Sequence, residues 1–308
     1  MQLFTWLSKW ITSETQTRRA SARKSTSSFR PQLETLEGRD VPSTVTVTSA
    51  ADSGAGSLRA EIAAAKNNDT IDFAPNLKGQ TITLTSGQLE ISKSVSIQGL
   101  GAGQLTVSGD LQSRVFQVDQ KDTVTLSGMT ISNGYAGYLG NLYSYDGGGI
   151  LNLGTLTVSG CILSGNSAGN SPFYSYGEHG KGGGIYNAGT LTVSNSTLSG
   201  NQAGSAGGGL YNADMATISG CTLSSPSSSL TNLNTRQAAY DGGGIYNAGT
   251  LTVNYCTFSY NFATLYGGAI YNQGILTVRN SVFSNNIAGH FANNIYGLYN
   301  DGGGNTFA

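Results

Sequence analysis

Charge is what this 308-residue sequence most lacks: Asp, Glu, Lys and Arg together make up 11% of it, where about a quarter is usual. Sixteen basic residues face seventeen acidic ones, so the net charge of -1 gives no reason to expect a nucleic acid or an acidic ligand. Proline (5) and cysteine (3) are scarce, and no apolar run approaches the roughly 18 residues that a transmembrane helix needs. Glycine is the opposite case. Its 44 residues are about twice ordinary usage, yet they do not recur at every third position as in collagen. At 38% hydrophobic, the chain is also too apolar for a disordered polar tract. These features describe a repetitive, β-rich, Gly-turned protein.

The few charges are unevenly placed. Thirteen of the sixteen Lys and Arg precede residue 122, which leaves only Lys181, Arg236 and Arg279 beyond it. Residues 1–43 read as a basic leader, export-related or disordered. In it Leu3, Phe4, Trp6, Leu7, Trp10 and Ile11 recur at helical spacing ahead of Arg18, Arg19, Arg23 and Lys24. The stretch RPQLETLEGRDVPS at 30–43 resembles the N-terminal segment of large exported proteins of planctomycete bacteria.

Beyond the leader the chain repeats. The tripeptide GGG, once GGA, begins at 147, 182, 207, 242, 267 and 302, at spacings of 35, 25, 35, 25 and 35. This is a 25-residue unit with ten residues added in alternate intervals. Each unit holds three short β-patterned pieces separated by Gly and Asn, which is too short for a βαβ unit or a propeller blade. It suits one coil of a parallel β-helix.

Within the unit, Ile150, Ile185, Leu210, Ile245 and Ile270 share a position, and Asn152, Asn187, Asn212, Asn247 and Asn272 share another. Val158, Val193, Ile218, Val253 and Val278 alternate with threonines, which points the aliphatics inward and the threonines outward. The five asparagines are expected to form a structural ladder, each amide bonded to the next coil. Ahead of the repeat, SLRAEIAAAK at 57–66 reads as a helix capping the solenoid, with Ser57 as N-cap. DGGGNTFA at the other end reads as the opening of a sixth unit.

The pairing of GGAI at 267–270 with FSNN at 283–286, or GGGI at 242–245 with FSYN at 258–261, resembles the GG-aliphatic and F-x-x-N repeat of polymorphic outer membrane proteins. The segment from TVTSAADSGAGSLRAEI onward is similar to exported bacterial proteins of the pectin-lyase-like class. Together these resemblances cover about residues 44–308. They imply an all-β fold, a single-stranded right-handed parallel β-helix, in an extracellular, cell-surface or outer-membrane-associated protein. Three units carry Leu in place of Phe, and the C-terminal barrel of autotransporters, with its alternating strands, is absent from the sequence.

Chemistry is hard to find in the repeat. Asp146, Asp241 and Asp301 share the position before the glycines, but two or three coils separate them, too far for the carboxylate dyad of a glycosidase. Lys181 takes that position in the coil after Asp146, where a surface ion pair is expected. No carboxylate cluster suggests calcium, and His179 and His290 are isolated from one another. No catalytic residue, metal or cofactor is therefore assigned. Cys161, Cys221 and Cys256 share one position. Cys221 and Cys256 are neighbours there, which leaves two readings: a disulfide, or a ladder of small core residues.

The added segments, 135–146, 170–181, 227–241 and 290–301, hold nine of the sixteen tyrosines and are read as leaving the coil at one corner. Insertions in solenoids gather on one face, often the binding face. The candidate binding residues are Tyr143, Tyr145, Tyr174, Tyr176, Tyr240, Tyr296 and Tyr299 in these segments, with Tyr186, Tyr211, Tyr246 and Tyr271 projecting outward beside them. A ring and a hydroxyl suit a polysaccharide or a cell-surface protein as partner. The expected function is adhesion or glycan and protein binding with peripheral envelope association. The alternatives are a polysaccharide lyase or glycosidase, and a structural envelope component.

Overall fold

The computed structural model describes residues 42–137, 145–169, 180–224 and 239–308. Residues 1–41 of the basic leader and Tyr143, Tyr174, Tyr176 and His179 lie outside them.

Short strands stack on one another, coil upon coil, into a parallel β-helix. Among the described residues one wall has ten strands, from Thr44–Val47 to Asn300–Asp301. A second has eight, from Leu89–Ile91 to Ile295–Tyr296, and a third has nine, from Gln80–Thr83 to Thr306–Phe307. Pairing is parallel and in register: Thr190–Ser194 lies on Thr155–Ser159, and Met215–Ser219 lies on Thr190–Ser194. Two three-stranded patches occupy one corner, beginning at Tyr135–Ala136 and at Ala239–Asp241.

Alternation along the strands decides which side chains fill the interior. Leu191 and Val193 are buried while Thr192 between them is exposed, and the same holds for Ala216 and Ile218 around Thr217. Phe258 stacks on Phe283 at 4.8 Å and Phe283 on Phe307 at 5.0 Å, so aromatic rings extend the aliphatic columns at one end. No described helix is long and apolar enough to cross a membrane.

The helix near the N-terminus is Leu58–Ala64. Ser57 caps it by accepting the Ala60 N–H, and Leu58, Ile62 and the following Ala65 are buried in the core. Its loop is held by Asp52, which accepts hydrogen bonds from Arg59, Thr85 and Ser86, while Arg59 also donates to the Gly87 and Gln88 carbonyls. Burial alone would raise the Asp52 pKa, but these donors outweigh it and bring it down to about 2.

The glycine triplets have a steric cause. Gly182, first of its triplet, has φ +68°, and a Cβ on Gly183 would collide with the Gln202 carbonyl of the neighbouring coil. The triplet at 302 departs from the expected periodicity. Ile295 and Tyr296 pair with Ile270 and Tyr271, so the 25-residue spacing simply continues. Residues 290–301 are thus the wall of the next coil, and Asn300–Asp301 pairs with Thr277 and Val278 on the ten-stranded wall. Gly303 and Gly304, at φ +88° and +72°, then turn the corner toward Thr306–Phe307. A Gly-rich triplet fits any tight corner of the coil, and strand register decides which corner it takes.

Candidate functional site

Five asparagines anchor the corner after the eight-stranded wall. Asn152 Nδ2 donates to Asn187 Oδ1 at 2.7 Å, Asn187 to Asn212 at 2.8 Å, Asn212 to Asn247 at 2.7 Å and Asn247 to Asn272 at 2.7 Å. Each amide nitrogen also reaches the carbonyl two residues on, as Asn212 reaches Asp214 at 3.1 Å. It reaches a carbonyl of the next coil as well, as Asn212 reaches Thr250 at 3.1 Å. Every side chain in the row is buried, so these bonds satisfy groups that water cannot reach. A second ladder runs along another corner: Asn166 donates to Asn201 and Asn261 to Asn286, each at 2.9 Å. Its sequence signal was the last residue of the F-x-x-N pattern.

One residue before four of the ladder asparagines, Asn187, Asn212, Asn247 and Asn272, stands a tyrosine that the strand alternation turns outward, and Tyr296 continues the series in the next coil. Tyr186, Tyr211, Tyr246, Tyr271 and Tyr296 stack as one row, with centroid separations of 5.2, 4.9, 4.9 and 5.2 Å. Tyr296 belongs to this row by register and not to an inserted segment. The ring faces inside the row are occupied by neighbouring rings, and Tyr211 is only 9% exposed. Burial, then the neighbouring Tyr211, Tyr271 and Asp241, push the Tyr246 pKa up to about 12.

Beside the tyrosine row lies the position that precedes the glycines: Lys181, Ala206, Asp241, Tyr266 and Phe291 pair in succession from coil to coil. Lys181 does not use its ammonium on Asp146 as expected. Its backbone N–H donates to Asp146 Oδ1 at 2.9 Å, while its Nζ sits 4.9 Å from the Tyr211 ring centroid. The ring face offers the ammonium a partner on the same corner, and the ladder register already gives Asp146 a backbone donor. Burial still raises the Asp146 carboxyl against the Lys181 hydrogen bond and charge. Arg114 is buried nearby, donating to the Asp146 and Gly147 carbonyls and to Gln88, and burial pulls its pKa down to about 10.

The remaining candidates separate by position. Tyr240 is 38% exposed, Tyr145 is half-buried, and Tyr299 packs against the hydrophobic core at the register of Leu276. Asp301 leaves the series of Asp146 and Asp241 altogether, because register puts it opposite Val278. The thiols of Cys161, Cys221 and Cys256 are buried and free. They occupy a corner ladder in which one coil's side chain accepts the previous coil's N–H: Ser196 Oγ from Cys161 at 3.1 Å and Cys256 Sγ from Cys221 at 3.5 Å. Among the described residues no group of three or more His, Cys, Asp or Glu could hold a metal ion.

Comparison with known families adds one assignment, at the point where the FSYN half of one coil meets the GGAIYN half of the next. Residues 255–273 match the Chlamydia polymorphic membrane protein (Chlamydia_PMP) repeat. This repeat stretch contains Tyr266 and Tyr271, and it is of a type associated in general with outer-membrane and cell-surface proteins. No curated protein matches the chain.

Proposed function

We propose that this chain is a surface-displayed, non-catalytic β-helix that binds a polysaccharide or a cell-surface protein through its tyrosine-rich corner. The observation that carries the reading is the tyrosine row itself. Five rings stand outside the core on consecutive coils, where a solenoid built only for stability could use the threonines it has elsewhere. Aromatic side chains offer large contact area at little entropic cost, and their hydroxyls add direction. The polymorphic membrane protein repeat supports the surface setting. The sequence puts further tyrosines, among them Tyr174 and Tyr176, in added segments, and the proposed face includes them on that ground.

The test uses the whole chain, immobilised polysaccharides (neutral and acidic) and intact bacterial cells. The variant Tyr174→Ala/Tyr176→Ala should lose binding at least tenfold with an unchanged thermal midpoint. Binding that survives this variant, or a midpoint that falls in step with affinity, would return the tyrosines to a structural role.

A further inference from the structure

The tyrosine-rich corner is not uniform along its length. Within the row, ring faces are consumed by other rings, so a ligand meets only edges and hydroxyls. At residues 266–296 the two neighbouring columns merge into an open cluster. Tyr266 lies 4.8 Å from Tyr296, 6.2 Å from Phe291 in near-parallel planes, and 6.1 Å from His290. Phe291 is 65% exposed and Tyr296 is 36% exposed, against 9% for Tyr211.

We infer that Tyr266, Phe291 and Tyr296 form a platform for a hexopyranose ring of a neutral polysaccharide. This rests on the binding reading above and names its ligand class. The exposed Phe291 ring gives the C–H face of a sugar something to stack on. Polar groups stand on the same segment for the hydroxyls: His290 is exposed, and Asn293 turns its Oδ1 to the Ala288 N–H, which leaves its exposed amide NH2 as a donor. The ligand is neutral because, among the described residues, no Lys or Arg pairs with Tyr266 or Phe291. A charged uronate or sulfate would find no counter-ion here.

Phe291 can be tested without dismantling the coil, since its backbone bonds to the previous coil, the carbonyl accepting from Gly267 and the N–H donating to Leu265, do not depend on its side chain. The full chain would be titrated with soluble neutral glucans and galactomannans and, in parallel, with polygalacturonate. Wild type should bind a neutral polymer and not polygalacturonate. Phe291→Ala should weaken that binding at least tenfold at an unchanged thermal midpoint, and Phe291→Trp should retain it. Preference for the acidic polymer, no neutral polymer bound, or undiminished binding by Phe291→Ala would overturn the platform. Cell or protein binding that is lost in Tyr174→Ala/Tyr176→Ala but kept in Phe291→Ala would overturn it while leaving the broader reading in place. A chain that binds none of these targets would overturn both.

Discussion

The coils before residue 137 and those after residue 145 reach the same cross-section by different means. In the earlier part, single contacts close the structure: Asp52 clamps Arg59, Thr85 and Ser86, and Arg114 ties Gln88 to the Asp146 and Gly147 carbonyls. In the later part most contacts recur from coil to coil. Asparagines, tyrosines, phenylalanines and the Cys/Ser corner each form columns in which every member satisfies the next. A repeated neutral contact adds up along the solenoid and needs no charge, which is why the regular coils keep only three basic residues. An irregular coil has no identical neighbour to bond to, so it relies on ionic hydrogen bonds aimed at particular carbonyls.

Substitutions can break this contrast in graded steps. The largest effect is expected from Val253→Asp, which puts an unpaired charge among fully buried residues and should cost more than about 4 kcal/mol by chemical denaturation. The outward Thr252→Asp should cost under about 0.5 kcal/mol, and equal losses would invert the inward and outward assignment. Asp52→Ala should cost about 3 kcal/mol, the low end for a broken buried pair, because Arg59 keeps the Gly87 and Gln88 carbonyls.

The Asp52 clamp also has a pH signature. Its folded pKa lies below the unfolded value, so its contribution is present above about pH 4 and is lost as pH falls toward 2. Asp52→Ala should flatten acid denaturation in that window. Asn212→Ala should come next, at about 1–3 kcal/mol, since it removes one acceptor of the Asn187 amide and the donor that serves the Asn247 Oδ1 and the Asp214 and Thr250 carbonyls. The smallest effect is at Tyr246. Its folded pKa is above the unfolded one, so stability is full below about pH 10 and declines as pH rises toward 12. Tyr246→Phe should remove part of that alkaline slope and leave neutral-pH stability nearly unchanged.

The same contrast decides what could be read from the sequence. Column positions such as Asn212 or Val253 are visible because each recurs at 25 or 35 residues with its chemistry intact. The Asp52–Arg59 clamp is a unique contact, and nothing in a single sequence marks its two ends as partners. The 302 triplet misleads for a physical reason: glycines report a tight backbone, and every corner of a coil is tight, whereas the Ile295–Tyr296 pair reports the wall. Tyr266 and Phe291 were legible in principle, 25 residues apart in the position before the coil's first wall strand. Their columnar predecessors Lys181, Ala206 and Asp241 share no chemistry with them, so the series does not look like one.

On the proposed face the enclosed tyrosines hold the solenoid while the open ones bind, a division of roles between two sets of rings. It is tested most directly by measuring thermal midpoint and affinity for immobilised polysaccharides and bacterial cells together in Tyr211→Ala and Tyr240→Ala. The enclosed Tyr211 should lower the midpoint, and the exposed Tyr240 should lower affinity alone. A fall in both quantities for both variants, or affinity untouched by Tyr240→Ala, would contradict the division.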